Sequence, residues 1–485
     1  MIRGLKNLTK EEKTLLNSTL CHDPKSKHKF TNWSRTFDCE PFLYLAPTTE
    51  NEVIEIINFA RKRGLSVKPI GSGHSPSDLA CTDGIMLNMD KMNRVMEVDL
   101  ENHRVTVEAG IRLKELHLVL KKWNLALSSI GSISDQSLAG VIATATHGTG
   151  IEYGCFSSIV VDLVLVDGLG RRHYCSSDVN EPLFNAARCS LGALGIITQL
   201  TIQCEPAFLL KAVQVPEKLD YILDNLIDLL DESEHMRFWW FPHTDDTVLW
   251  KANRTKEPVK PLKEGFVMDK LFGFHFYQFQ LMLARYMPSV IPSITKSHYQ
   301  LRFNKKVEWV DESYKVFNFD CLFPQYVNEW AVPVENTRTA LNMLRALFTA
   351  EPDLKVHFPV EVRFVKKDNV MLSPCYNQYV CYIGVIMYRP YYLPVPYKKY
   401  WKAYEDIMRS LRGRPHWAKA HKFYYFDFLK AYPEFPRFLE IRQAVDPEGI
   451  FLNDYLKRHI MPPSAENCTG PLSSKSGTEK QNSKL

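Results

Sequence analysis

What this sequence lacks removes several classes of protein. None of its eleven cysteines stands in a CxxC pair, and no Cys/His cluster has zinc-ligand spacing. Neither a structural metal site nor a disulfide ladder is expected, and the scattered cysteines read as small buried thiols. Net charge is only +5, and Lys and Arg form no dense stripe beyond short runs such as Lys305-Lys306, so no nucleic-acid partner is expected. The polar first 29 residues hold no apolar h-region, so a cleaved signal peptide is not expected. Without one, the sequons at Asn7, Asn17, Asn32, Asn253 and Asn467 carry little weight. No repeat period is visible. What remains is a core-forming composition, 45% hydrophobic and 24% charged, in 485 residues, or two to three domains.

The patterning divides the chain. From residue 30 to 206 short strand-like runs alternate with helical ones. The spacing predicts a helix over 51–63, opened by Thr48 and Thr49, and a strand over 65–70. A second strand–helix pair is expected at 104–108 and 113–123, and a buried Val-rich strand at 159–166 before the Gly168/Gly170 turn. This is a mixed α/β domain. From 207 to 420 a helix expected over 218–230 joins strands rich in Trp, Phe and Tyr (237–242, 247–251 and 380–387), giving a second, α+β domain. Residues 421–460 are expected to return to the first domain. Residues 1–29 form an extension, and 461–485, without an aromatic residue, an expected disordered tail. The segment 271–294 is apolar and aromatic, but His275, Gln278, Gln280 and Arg285 interrupt it. It suits an interfacial helix or membrane anchor better than a spanning one.

Four small-residue loops in the first domain could carry chemistry. Gly71-Ser-Gly-His-Ser-Pro76 follows a strand and lets backbone approach a phosphate closely. It is not a dinucleotide-binding fingerprint, because Pro76 occupies the third glycine position. Gly131 to Gly140 and Thr144 to Gly150 flank a short apolar segment, and Gly192-Ala-Leu-Gly-Ile-Ile197 is the fourth. Together they imply a large nucleotide cofactor, with flavin and other nucleotides both open.

The order of these motifs resembles the FAD domain of the vanillyl-alcohol-oxidase (PCMH-type) superfamily. In the second half, Pro359-Val-Glu-Val-Arg-Phe364, Ser373-Pro-Cys375, Met387-Tyr-Arg-Pro390, Arg414-Pro-His-Trp-Ala-Lys-Ala-His421 and Phe451-Leu-Asn-Asp-Tyr455 resemble the sugar-1,4-lactone (aldonolactone) oxidases. Ser75 to Gly84 and Lys91 to Val95 are similar to the animal, ascorbate-forming members, and 131–150 to the fungal D-arabinono-lactone members. The likeness runs from about residue 30 to 458.

That resemblance implies an α+β fold, with a two-subdomain FAD-binding domain and an α+β cap domain. It implies FAD bonded covalently to His74. Gly71, Ser72, Gly73, Ser75, Gly131, Ser132, Ser134, Asp135, Thr144, Thr146, His147, Gly148, Ile196 and Asn453 would contact the cofactor. Glu361 and Arg363 match the family's substrate pair, and Lys419 a lysine near flavin and substrate; His416 and His421 have either a site or a structural role. No metal is implied. The activity implied is oxidation of L-gulono-1,4-lactone to ascorbate with O2 reduced to hydrogen peroxide. A small residue at Gly131 goes with oxygen access. D-arabinono-1,4-lactone or an alditol is the alternative substrate, and a non-catalytic nucleotide-binding membrane protein the alternative class. The animal likeness and the 271–294 segment imply a membrane-associated protein of the endoplasmic reticulum; the fungal likeness would imply a mitochondrial membrane.

Overall fold

The computed structural model describes residues 5, 7–21, 28–262, 273–319 and 324–463. Most of the expected tail (464–485), the sequon at Asn467 and the first two residues of the 271–294 segment lie outside the described residues.

Three sheets carry the fold. The first is parallel, with β1 (Leu43–Leu45), β2 (Val67–Ile70) and β3 (Ile85–Asn88) in the order β1-β3-β2. Helix α1 (Lys10–Thr19) and helix α2 (Glu50–Arg63) pack beside it. α2 forms where the sequence signals it: Thr49 caps Glu52 N, and Gly64 ends it with φ +63. Its buried face is Val53, Ile56, Ile57 and Ala60, at helical spacing. α1 sits in the stretch read only as a polar extension. Its Thr9/Glu12 capping box is present, and Glu12 ties it to α2 through Arg63 at 2.6 Å.

The second sheet is antiparallel, with β4 (Val95–Asp99), β5 (Arg104–Glu108), β6 (Val160–Asp167), β7 (Arg172–Ser176) and β8 (Gly195–Gln203) ordered β7-β6-β8-β5-β4. The third has eight strands. β9 (Leu209–Lys218), β10 (His235–Trp240), β11 (Asp246–Thr255), β12 (Val307–Glu312), β13 (Gln325–Pro333), β14 (Val360–Val365), β15 (Val380–Tyr388) and β16 (Arg414–Pro415) run antiparallel in the order β12-β9-β11-β10-β14-β15-β13-β16. The helix expected over 218–230 is present, begins one residue later, and is broken at Asn225. β9 pairs with β11 as far as Lys218, and two six-residue helices then meet at Asn225.

The segment after 272 forms helix α3 (Tyr277–Ala284) and helix α4 (Ile291–Arg302). Tyr277 and Leu281 pack on Tyr388, while Phe276, Phe279, Leu283, Tyr286 and Met287 face outward. No helix among the described residues is long and apolar enough to cross a membrane. After β16 the chain runs back to the first sheet. Ile450 O accepts from Val67 N, and Arg458 pairs with Asp78 at 2.8 Å.

Candidate active site

Two cavities meet where the sheets converge. The first, about 1120 Å³, follows the 71–75 loop, Thr144 and Gly192. The second, about 1480 Å³, lies on the eight-stranded sheet beside α3 and α4. Gln136, Thr146, His416 and Lys419 line both, so the two are continuous.

The first cavity is built for an anion beside an apolar body. After β2 the loop turns at Gly73 (φ +66), and Gly71 lies so close to Ser137 that a Cβ would sit 1.9 Å from its Oγ. Among the described residues, the backbone N–H groups of Ser72, Gly73, His74 and Ser75 donate to no protein acceptor. Converging free amides make an anion nest. Lys68 lines the same cavity, buried, its Nζ donating to Leu191 O at 2.8 Å. Burial pushes this amine down to about 7, with only Asp78 opposing. A buried amine in one cavity wall with four free amides suits a diphosphate, whose charge would favour the ammonium. At the loop's end His74 stacks on Trp33, ring centroids 5.3 Å apart. Burial pushes the ring below its ordinary value, against Asp135, whose carboxylate faces Nε2 at 3.6 Å. The buried Nδ1 has no hydrogen-bond partner among the described residues.

The second cavity takes its chemistry from strand register. Trp239, Glu361, Gly384 and Glu329 form one row across β10, β14, β15 and β13. Arg237, Arg363 and Tyr382 form the next, two residues along and on the same face. Glu361 Oε1 accepts from Trp239 Nε1 at 3.1 Å and from Arg363 Nη2 at 2.7 Å. Arg363 Nη2 also donates to Ser132 Oγ at 2.7 Å, tying the pair to the first domain's loop. Burial acts to raise Glu361, but Arg363 and Arg237 override it and hold the carboxyl below its usual range. His147 donates from Nδ1 to Gly148 O at 2.9 Å, stacks on Tyr382 at 3.5 Å, and turns Nε2 toward Glu329. His416 accepts from Ala418 N at its Nδ1, and burial holds the ring neutral, down to about 3. Ligand atoms of His147, Glu329 and His416 lie within 4.8 Å of one another, as a metal site requires. Lys419 already places its ammonium 3.8 Å from that carboxylate, so the charge is answered by protein.

Comparison with known proteins agrees with this donor set. Residues 41–176 match the FAD-binding domain family, and 200–459 match D-arabinono-1,4-lactone oxidase. The chain belongs to the D-arabinono-1,4-lactone oxidase family. It is 45% identical over 431 residues to L-gulonolactone oxidase of Scyliorhinus torazame, covering 89% of this chain and 98% of that protein. The Mus musculus L-gulonolactone oxidase matches at the same identity and coverage. An L-gulono-1,4-lactone dehydrogenase of Mycobacterium tuberculosis is 36% identical, over 89% of this chain and 99% of that one. In fold the chain is similar to a cholesterol oxidase from B. sterolicum, with TM-score 0.77, 17% identity, and 92% and 98% of the two chains covered. The chain is therefore an FAD-dependent oxidoreductase of the aldonolactone oxidase family, with the expected two-subdomain FAD-binding fold and cap.

Within that frame, Gly71, Ser72, Gly73, His74, Ser75, Thr144 and Thr146 line the first cavity. Gly131, Ser132, His147, Glu361, Arg363 and Lys419 line the second. Five expected contacts lie outside both walls. Asp135 stands behind His74, and Ser134 O accepts from Lys114 N. Gly148 is a packing glycine, where a Cβ would meet Ser129 Oγ at 2.3 Å. Ile196 turns into the parallel-sheet core, because on a strand its neighbours Gly195 and Ile197 take the cavity side. Asn453 caps the last helix and donates to Leu79 O and Cys81 O. His421 is also structural, bonded to Tyr455 Oη at 3.0 Å. Lys68, Trp239, Glu329 and Gly384 were missed by sequence reasoning. The available signals were a charge inside an apolar strand, at 68 and 329, and a glycine inside a strand at 384.

Lys68 makes a pH prediction. Between about 7 and its unperturbed 10.5, the unfolded chain binds a proton there that the folded apoprotein does not. Apoprotein stability should rise with pH across that window. A bound diphosphate favours the ammonium and flattens the slope. Lys68→Met should abolish the apoprotein slope and weaken FAD binding by about tenfold or more. Calorimetric melting with and without FAD, across that window, checks both.

Proposed function

We propose that this protein oxidises L-gulono-1,4-lactone at C2, passes the electrons to O2, and releases a 2-keto-lactone that tautomerises to ascorbate. The observation that carries the reading is the Glu361–Arg363 pair, closed at 2.7 Å and set in the wall of the second cavity. The names of the relatives that share nine-tenths of the chain support the substrate. Bound FAD would supply the acceptor for the C2 hydride. Arg363 and Lys419 would place positive charge at the junction, where negative charge develops. Glu361, weakened as a base by two guanidinium neighbours, is suited to accept from a lactone hydroxyl and fix its direction. The anion nest and Lys68 would hold the diphosphate. His74, neutral and with a free Nδ1, would hold the flavin's 8α-carbon covalently, the displaced C–H hydrogen leaving as a proton and its electron pair passing through the flavin to O2, with Asp135 accepting the Nε2 proton.

The test is a lactone panel with peroxide detection. L-galactono-1,4-lactone and D-arabinono-1,4-lactone share ring configuration and differ by one CH2OH carbon, so their ratio measures preference for the six-carbon chain. Faster turnover of L-gulono-1,4-lactone, with peroxide formed, supports the proposal. Preference for D-arabinono-1,4-lactone would overturn the substrate, and turnover without peroxide the acceptor.

Gly131 bears on the acceptor. A Cβ there would lie 3.4 Å from His147 O and 3.7 Å from Thr146 Cγ2, so alanine fits but narrows the junction. Gly131→Ala should slow reoxidation by O2 by about an order of magnitude, with lactone reduction changed less than about twofold. Stopped-flow of the two half-reactions checks this.

The outward apolar side chains of α3, with Tyr286 80% exposed, suit a membrane surface. An endoplasmic reticulum membrane is the address we propose, with a mitochondrial membrane as the alternative. Vesicle flotation of wild type and Phe279→Ser/Leu283→Ser, with fractionation, tests the surface and the address.

A further inference from the structure

We infer that Glu329 is a second substrate-binding carboxylate, which accepts from a ring hydroxyl of the lactone across Gly384 from Glu361. This rests on the lactone reading above. Glu329 and Glu361 stand on strands either side of β15, both paired with Gly384. Two strand spacings put their backbones roughly 9–10 Å apart. The residue between them has no side chain. A Cβ at Gly384 would lie 3.7 Å from Glu329 Oε1, so glycine keeps an open slot with a carboxylate at each side. A glycine in a central strand weakens it unless something must come close. A five-membered ring bearing hydroxyls on opposite edges fits such a slot.

Glu329 is built to receive a donor. It is buried, 8% exposed, and lines the cavity. Burial acts to raise its carboxyl, but the His147 ring nitrogen and the Lys419 ammonium hold it well below the usual range, so it is an anion. Yet the nitrogens nearest it stand off. His147 Nε2 is 3.4 Å from Oε1, and Lys419 Nζ is 3.8 Å from Oε2. A charge-assisted hydrogen bond is about 2.7–2.9 Å. No side chain among the described residues donates to this carboxylate at such a distance. Glu361 differs: its Oε1 already holds two donors. The slot therefore has one carboxylate fixed by protein and one left for the ligand. A metal ion is disfavoured, because Lys419 faces the same oxygen pair.

The test compares wild type, Glu329→Gln and Glu329→Asp as FAD-loaded proteins. The probes are L-gulono-1,4-lactone and its 2-deoxy and 3-deoxy analogues. Binding is read by thermal shift under anaerobic conditions, and turnover by steady-state rates. A hydrogen bond to a charged acceptor predicts that Glu329→Gln weakens parent-lactone binding by about 10–100-fold. KM should rise by a similar factor, with kcat changed less. One of the two deoxy lactones should bind wild type and Glu329→Gln equally, because the hydroxyl that Glu329 holds is gone. Glu329→Asp should fall between the two. Flavin content reports folding in each variant. Equal losses for the parent and both deoxy lactones would make Glu329 structural and overturn the inference. So would unchanged KM in Glu329→Gln. If wild type binds no lactone at all, the lactone reading itself fails, and this inference with it.

Discussion

Arg363→Ala will lower kcat/KM for the lactone by roughly 10²–10³-fold while the protein still takes up FAD. The guanidinium bridges Glu361 and Ser132, one on the cap sheet and one on the first domain's loop. Burial acts against its charge, and the carboxylates Glu361 and Glu329 restore and raise it. Removing it leaves Glu361 with only Trp239 and the more distant charge of Arg237, at a cost of up to about 3–5 kcal/mol. A melting-temperature drop is therefore expected beside the kinetic loss. The two effects separate in the double variant Glu361→Leu/Arg363→Met. Removing both charges should recover much of the stability, yet activity should stay low. Glu361→Gln keeps the size and an acceptor for Trp239, so its fold should persist while kcat/KM falls. Near-normal turnover in both single variants would remove this pair from the site.

His74→Ala will leave the protein without acid-stable flavin. The ring is held by Trp33 on one side and Asp135 on the other, and its Nδ1 faces no protein partner. Wild type precipitated with acid should keep the yellow colour in the pellet. His74→Ala should release all of it, or bind FAD only while the free cofactor is present. Asp135→Asn should retain the bond but form it more slowly, by about 10–100-fold, because the proton on Nε2 loses its acceptor. Flavin released from acid-precipitated wild type would leave FAD bound, but not through His74.

Much of the fold was legible because local signals agreed with tertiary packing. α2 was readable from Thr49, Gly64 and its apolar spacing, and β15 from a run of β-branched and aromatic residues. α1 was hidden: its stretch is polar, and what holds it is the Glu12–Arg63 contact across the chain. The 218–230 helix was legible except for its first residue, which pairing with β11 keeps in the strand, and its break at Asn225. At the site, Glu361 and Arg363 could be placed together from their i, i+2 spacing alone. Glu329 could not, because its partners His147, Gly384 and Lys419 come from three other segments. Register, not local sequence, makes that row. Ile196 shows the reverse: the motif was in the right place, but strand alternation gave the cavity to Gly195 and Ile197.

The most direct measurement is anaerobic mixing of the FAD-loaded protein with L-gulono-1,4-lactone while the visible flavin absorbance is followed. The account predicts rapid, complete bleaching, recovery of the colour when air is admitted, and one hydrogen peroxide for each lactone consumed. Flavin that stays oxidised with every aldonolactone tried, in a protein that has taken up its cofactor, would contradict it.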